Sequence, residues 1–147
     1  IIVSSSKLKN INCPEYLVPS TIDEFPILMV LAARSIGIAT FSGLNELNKK
    51  ESPRLNLMNK ILNKIGIKTI LKNNSIKIYG NPNLSLNKSY YVNTKFDHRI
   101  AMSVFCIGQI FGGKITISDC HSILTSFPSF LKIMKKIGAI YEVKKKN

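Results

Sequence analysis

The sequence predicts an α/β protein made of two stacked, similar modules, and three observations predict it. Apolar runs of helical period alternate with short apolar runs of strand period, so helices and strands follow one another along the chain. Helical runs stop at glycines that lead into strands, as at Gly37, Gly66, Gly113 and Gly138. The order then recurs. Gly37, Thr40 and Ser42 return as Gly113, Thr116 and Ser118, Asp23 as Asp97, and Met58–Gly66 as Phe130–Gly138, at offsets of 72 to 76 residues. Neither module, about 21–80 or about 90–143, can bury both faces of its sheet alone, so the two are expected to pack together.

Taken in order, Ile1-Ile2-Val3 reads as a buried strand and Ser4-Ser5-Ser6 as its exit. Residues 7–20 hold Pro14 and Pro19 and read as a loop with a short turn. Asp23 is the natural N-cap of a helix through Phe25, Ile27, Leu28, Val30, Leu31 and Ala32, with Pro26 in the first turn, where its missing N–H costs little. That helix is apolar on most of its circumference and is expected to be buried. Gly37 ends it, and Ile38–Ser42 follows as a strand. Ser52-Pro53 reads as N-cap and first residue of a helix to about Ile65, with Leu57, Met58, Ile61 and Leu62 on one face and Gly66 as its stop. Ile67–Leu71 and Ile76–Tyr79 alternate as a hairpin around Lys72-Asn73-Asn74-Ser75. Residues 81–88 form a loop, and Tyr90-Tyr91-Val92 a short strand. Asp97 caps an apolar helix from Arg99 to about Phe111, ended by Gly112-Gly113. Lys114–Ser118 reads as a strand, Ser126–Ile137 as a helix stopped by Gly138, and Ala139–Val143 as a last strand. The three lysines that follow are expected to fray.

The chain has 147 residues, 45% hydrophobic and 20% charged, which suits one globular domain or part of one. The apolar stretch Phe25–Ala33 is far short of the roughly 20 residues that a membrane span needs, so no membrane partner is expected. No basic region followed by an apolar one opens the chain, and its first residue, Ile1, reads as mid-strand, as in a fragment or a processed product. The net charge of +13 attracts polyanions, but the lysines are spread along the whole chain with few aromatics among them. Nucleic acid is therefore not the expected partner, although a basic α/β module binding polyanions is kept as an alternative. Cys13, Cys106 and Cys120 are odd in number and lack C-x-x-C spacing, which excludes a zinc site or disulfide framework and favours a reducing, cytoplasmic setting. Cys106 reads as a small core residue.

The chemistry concentrates in Glu46-Leu47-Asn48-Lys49-Lys50-Glu51-Ser52-Pro53-Arg54. A helix N-terminus carries partial positive charge and unpaired N–H groups, which suit an anion. Glu51 between Lys50 and Arg54 at such a terminus is a candidate acid–base group for a phosphorylated or carboxylated substrate; the bland alternative is a charged, solvated loop. Asp23, Pro53, Asp97 and Ser126 begin helices at corresponding places in the repeat. Packing about a pseudo-symmetry axis would bring those N-termini together and set Lys50, Glu51 and Arg54 beside Asp23 and Asp97-His98-Arg99.

Four motifs stand in one order: Pro19-Ser20-Thr21-Ile22-Asp23-Glu24-Phe25-Pro26, Glu46-Leu47 with Lys50-Glu51-Ser52 and Arg54, Phe96-Asp97-His98-Arg99-Ile100-Ala101-Met102, and Thr125-Ser126-Phe127-Pro128. With these spacings the chain closely resembles the 5-enolpyruvylshikimate-3-phosphate synthase (3-phosphoshikimate 1-carboxyvinyltransferase) family, from about Ile1 to Val143. Any one motif is weak, but four in register outweigh the solvated-loop reading. The resemblance implies the inside-out α/β fold of the enolpyruvyl transferases, with two domains of repeated βαβαββ units and helix N-termini facing the cleft between them. It implies that this chain is part of the C-terminal domain only and that the N-terminal domain is absent, so the chain alone is expected to lack turnover.

The implied reaction moves the enolpyruvyl group of phosphoenolpyruvate to the 5-hydroxyl of shikimate 3-phosphate and releases phosphate, through a tetrahedral adduct and without metal or organic cofactor. By the match of motifs, Asp23 resembles the carboxylate that contacts shikimate hydroxyls and accepts the proton, and Glu51 the proton donor. Lys50 resembles a ligand on the shikimate 3-phosphate side or a proton-shuttling neighbour of Glu51, and Arg54 and Arg99 resemble clamps on phosphoenolpyruvate. His98 is a further candidate at the same site, with an orienting or buried role as its alternative; His121 matches no motif and reads as a loop residue. Pro53 and Asn48 depart from the family's usual acidic residue and arginine. Thr125 stands where many members carry lysine, as in a glyphosate-insensitive subgroup that the wording around Asp97 and Thr125 resembles. The nearest rival within the chemistry is a UDP-N-acetylglucosamine enolpyruvyl transferase, against which the Lys50-Glu51 to Arg54 and Asp97-His98-Arg99 motifs and the lack of a suitable loop cysteine speak. A remnant that keeps family residues without activity is a further alternative.

Overall fold

The computed structural model describes residues 2, 4, 6–10 and 12–144. Along the chain come a 3-10 turn Glu15–Leu17, helix α1 (Val18–Thr21), a 3-10 turn Ile22–Glu24, α2 (Phe25–Arg34), strand β1 (Ile38–Phe41), a 3-10 turn Asn45–Lys49 and α3 (Arg54–Lys64). There follow β2 (Thr69–Lys72), β3 (Ser75–Tyr79), β4 (Ser89–Asn93), α4 (His98–Phe111), β5 (Lys114–Ser118), α5 (His121–Ser126) and α6 (Phe130–Lys136). Helices and strands alternate as the apolar periods predict. β3 lies between β1 and β2, antiparallel to both, and β4 pairs with β5 in parallel. The hairpin turns at Asn73, which takes a left-handed φ of 49°.

One core joins both sheets. Phe25 and Met29 of α2, Leu55, Met58 and Leu62 of α3, Ile76 and Ile78 of β3, and Ile100, Val104 and Ile107 of α4 are all fully buried. A smaller cluster links α4 to the last two helices, with Phe105 edge-on to Phe130 and Tyr141 at centroid distances of 5.4 and 5.6 Å. The helical run Glu15–Arg34 has the length and apolar composition of a membrane span, yet it includes Asp23, Glu24 and Arg34 and packs Phe25, Met29, Val30 and Ala33 into this core.

Several expected elements differ. The first helical run begins at Glu15, well before Asp23, and Lys9 and Cys13 form single parallel bridges to Ile36 and Phe41 where only a loop was expected. Asp23 sits inside a 3-10 turn and Glu24 takes the N-cap position, because the Asp23 carboxylate is held by cations instead. Ser52 does not cap α3 either. Pro53 holds the N-cap position, and the Asn56 N–H in the first turn donates to Asn48 Oδ1 at 3.1 Å. The expected helix Ser126–Ile137 is two helices: Pro128 forces Phe127 out of the helical region, to φ −144° and ψ 76°, so Ser126 ends α5. His121 opens α5 and is not a loop residue.

Ala139–Val143 forms no strand among the described residues. Gln109 reaches over from α4 and pairs with Ile140 through both backbone groups, at 3.1 Å each, where a neighbouring strand would otherwise bond. Of the expected first strand, Ile1 and Val3 lie outside the described residues and Ile2 is exposed; residues 145–147 of the tail also lie outside them.

The end of α2 meets β3 at Gly80. Its N–H donates to the Gly37 carbonyl at 2.9 Å, and the Asn10 amide bonds the carbonyls of Ala32 and Gly37. A methyl group on Gly80 would run into the backbone oxygens of Ala32 and Ser35, whereas Gly112 has open space around it and only a left-handed φ of 71° to lose. Gly80→Ala is expected to cost about 2–4 kcal/mol through overpacking against backbone, and Gly112→Ala about 1–2 kcal/mol, because its φ of 71° and ψ of −160° lie in a region that side chains avoid. Urea unfolding midpoints of the two variants measure that order; the reverse order would refute this account of the Gly80 contact.

Candidate active site

The first residue of α3, Arg54, is only 1% exposed and has a carboxylate on each of its three nitrogens. Nε donates to Asp97 Oδ2 at 2.7 Å, Nη1 to Asp23 Oδ1 at 2.9 Å and Nη2 to Glu51 Oε2 at 2.5 Å. Burying a lone guanidinium costs several kcal/mol, and this arrangement offsets the cost through charge-assisted hydrogen bonds. Arg54 belongs on the apolar face of α3 by position: it is buried beside Leu55 and one turn before Met58. Its charge can sit there only because three other segments send acids to it.

Asp97 is fully buried and divides its two oxygens. Oδ1 accepts from the N–H groups of Arg99 and Ile100 at 2.9 and 3.2 Å, which caps α4, while Oδ2 takes Arg54 and the Ser52 hydroxyl, the latter at 2.8 Å. The turn into this cap is strained. Lys95 and Phe96 both have left-handed φ angles, 55° and 59°, and the turn is closed by Asp97 N–H donating to the Thr94 carbonyl at 3.1 Å. Burial pushes the Asp97 carboxyl up, but the hydrogen bonds from Arg54, Ser52 and Ile100 outweigh it and hold the group below the ordinary aspartate range.

Around this buried pair lies a more exposed ring. Lys50 Nζ stands 3.2 Å from Asp23 Oδ1, and Arg99 Nη1 donates to the Asp23 carbonyl at 3.0 Å and to Glu24 Oε1 at 2.6 Å. Partial burial raises the Asp23 carboxyl, whereas the Lys50 hydrogen bond and the charges of Lys50, Arg99 and Arg54 lower it further, so Asp23 stays ionised. All five residues singled out in the motifs, Asp23, Lys50, Glu51, Arg54 and Arg99, therefore meet in one network, and the starts of α2, α3 and α4 converge on it.

His98 lines a groove of ≈ 350 Å³ beside the network, together with the polar residues Asp23, Glu24, Arg99 and Ser126 and the apolar residues Met102, Phe127 and Phe130. Ser126 thus reaches the groove from the end of a helix rather than from a start. Cys106 also lines it, and burial raises its thiol above the usual range. Thr125 is exposed and donates to the Ser122 carbonyl at 2.9 Å, as an ordinary helix residue does. Beyond Glu51 a smaller hollow of ≈ 240 Å³ is bordered by Lys60 and Lys95. No group of three or more His, Cys, Asp or Glu with metal-binding placement occurs among the described residues.

Sequence reasoning missed the structural parts of this site. Local chemistry makes Ser52 a cap; it sets Arg54 beside Asp97 without pairing the two, and it gives no sign of the Arg99–Glu24 pair. A signal for the first pair was present: an arginine inside an apolar helical face demands a buried acid, and Asp97 was the acid already placed at a helix start.

Comparison with known proteins gives the family and the fold. The family model of EPSP synthase (3-phosphoshikimate 1-carboxyvinyltransferase) matches residues 1–134. The chain is 40% identical over 144 residues to 3-phosphoshikimate 1-carboxyvinyltransferase of Zymomonas mobilis, covering 96% of this chain and 32% of that protein. It is 39% identical to that of Hydrogenovibrio crunogenus, over 92% of this chain and 30% of the relative. EPSP synthase of Acinetobacter baumannii superposes with a TM-score of 0.88 at 35% identity, over 95% of this chain and 32% of the solved one. The enolpyruvyl transferase NikO of Streptomyces tendae, at 18% identity and a TM-score of 0.60, shares the fold. Fold and convergent helix starts together define an enolpyruvyl transferase architecture. Within that class, the chain belongs to the EPSP synthase family. It spans about a third of the length of the relatives it matches.

Removing the buried cation leaves Asp97 and Asp23 without their main partner. Arg54→Ala is expected to destabilise the fold by about 3–5 kcal/mol, and Arg54→Lys to recover only part of that, because an ammonium cannot reach three carboxylates in one plane. Chemical unfolding of the two variants measures this. The lowered Asp97 value also sets an acid limit. Its stabilisation is fully present above the ordinary aspartate value of about 3.9 and is lost as pH falls through the lower folded value. Thermal unfolding against pH should therefore fall steeply below about pH 4. Asp97→Asn should be less stable at neutral pH and flatter in acid; an unchanged acid limb would refute Asp97 as its source.

Proposed function

We propose that this chain supplies the C-terminal-domain side of an active site that transfers the enolpyruvyl group of phosphoenolpyruvate to the 5-hydroxyl of shikimate 3-phosphate, releasing phosphate. The observation that carries the reading is that Asp23 and Glu51, two carboxylates from distant segments, bind the same guanidinium and share one rim with Lys50 and Arg99. Addition needs one group to take a proton from the attacking hydroxyl and another to deliver one to the methylene carbon, and elimination reverses such transfers. Asp23, held ionised by its cations, suits the acceptor. Glu51 suits the donor. Its side chain is the most exposed of the three on Arg54, at 56%, so it is the arm an arriving anion most easily replaces at Nη2.

In this scheme Lys50 lies toward shikimate 3-phosphate, and Arg99, with the Nη2 edge of Arg54, takes the carboxylate and phosphate of phosphoenolpyruvate. His98 borders the same groove. The reading calls on no metal or organic cofactor. Its second half, the N-terminal domain with further substrate ligands, is the proposed partner of this chain, and residues about 21–80 and 90–143 are the proposed repeat units. Three free thiols, Cys13, Cys106 and Cys120, fit a cytoplasmic location, and neither membrane nor nucleic acid is needed.

In the full-length enzyme, Glu51→Gln is expected to lower kcat by about 10²–10⁴-fold with the fold intact. The 147-residue chain alone should release no phosphate from the two substrates, and addition of the whole missing remainder of the enzyme, the N-terminal domain included, should restore release. Near-normal turnover by the chain alone, or by Glu51→Gln, would overturn the assignment. Duplex DNA binding with a steep salt slope, and no saturable shikimate 3-phosphate binding, would favour a polyanion-binding module instead.

A further inference from the structure

The contact between Glu24 and Arg99 is left unused by the reaction proposed above. Arg99 Nη1 donates to two acceptors of one dipeptide, the Asp23 carbonyl at 3.0 Å and Glu24 Oε1 at 2.6 Å. Nε and Nη2 of Arg99 have no hydrogen-bond partner among the described residues, and the side chain is 30% exposed at the groove. A guanidinium is a rigid planar fork. With Nη1 tied from behind, the edge formed by Nε and Nη2 is left to bind an oxyanion with two parallel hydrogen bonds.

We propose that Glu24 is a positioning residue: by holding Nη1 it fixes the plane of Arg99 and aims the Nε–Nη2 edge at the carboxylate or phosphate of phosphoenolpyruvate. This role rests on the proposed reaction. The Asp23 carbonyl alone gives Nη1 one anchor, about which the guanidinium can swing; Glu24 gives it a second. Glu24 stands at the N-cap of α2 and Arg99 in the first turn of α4, so the pair also ties the strand of chain that bears Asp23 to the anion-binding arginine. The same carboxylate opposes anion binding by its charge, an effect that water and salt screen at a half-exposed pair. The two effects separate chemically. Glu24→Gln removes the charge and keeps an acceptor oxygen; Glu24→Ala removes both.

Steady-state kinetics of the full-length enzyme carrying this segment test the role. Glu24→Ala is expected to raise KM for phosphoenolpyruvate about tenfold over Glu24→Gln, with kcat within about twofold and KM for shikimate 3-phosphate unmoved. Equal KM values in the two variants, or a lower KM in Glu24→Ala than in the parent, would overturn it. A second measurement stands apart from turnover. Nitrogen-15 NMR of the Arg99 Nε–H in the 147-residue chain should show an ordered side chain in the parent and in Glu24→Gln, and an averaged one in Glu24→Ala. Equal order in all three would overturn the positioning role. An enzyme without turnover would refute the reaction and leave this readout to decide the role of Glu24.

Discussion

A guanidinium sealed from water has to be surrounded by acids, and the placement of Arg54 follows from that requirement. It takes one carboxylate from the 3-10 turn ahead of α2, one from the loop before α3 and one from the turn before α4. Those segments are far apart in sequence, with 31 residues from Asp23 to Arg54 and 43 from Arg54 to Asp97. One of these acids, Asp97, also caps a helix, α4. The core beneath, where Phe25, Leu55, Met58 and Ile100 meet, provides the apolar packing, but apolar contacts have little direction. The register between the three helix starts is set by hydrogen bonds.

The network is graded from inside to outside, which is how one cluster can serve both folding and chemistry. Asp97 and Ser52 are buried and complete: one oxygen of Asp97 belongs to α4 and the other to Arg54, so the cap and the ion pair stand or fall together. Asp23, Lys50, Glu51 and Arg99 are more exposed, and their contacts can be exchanged for those of a ligand at lower cost. The inner pair holds the shape while the outer ring stays accessible from solvent. Strain at Lys95 and Phe96 belongs to the same design, since a relaxed turn would not deliver Asp97 to two helices at once.

Much of this was legible in the residues. The alternation of helix and strand, the glycine stops, the Asp97 cap and the Asn73 turn follow from local chemistry, and local chemistry decided them in the structure as well. Two of the errors share one cause. Ser52 and Asp23 are good caps by type, but each found a stronger partner across the fold, a buried aspartate for Ser52 and two cations for Asp23. Asn48, which no local rule nominates, then supplied an acceptor at the start of α3. At the other end, alternation in Ala139–Val143 reads as a strand, but a strand exists only with a neighbour. Among the described residues this segment has the Gln109 side chain in place of one.

What the amino-acid sequence determined by itself was the set of elements, the family likeness and the identity of the charged residues, because period, cap type and motif spacing are local properties of a chain. What only the tertiary structure decided was which carboxylate meets which cation, and from which side. Arg54 could have been an exposed clamp by sequence; burial made it the centre of the network. Glu24 stands in the sequence only as part of a motif, and its reach to Arg99, 75 residues away, became visible only when α2 and α4 lay side by side. Pairings of this kind depend on distances in space and on the water that burial removes, and neither is written in the order of residues.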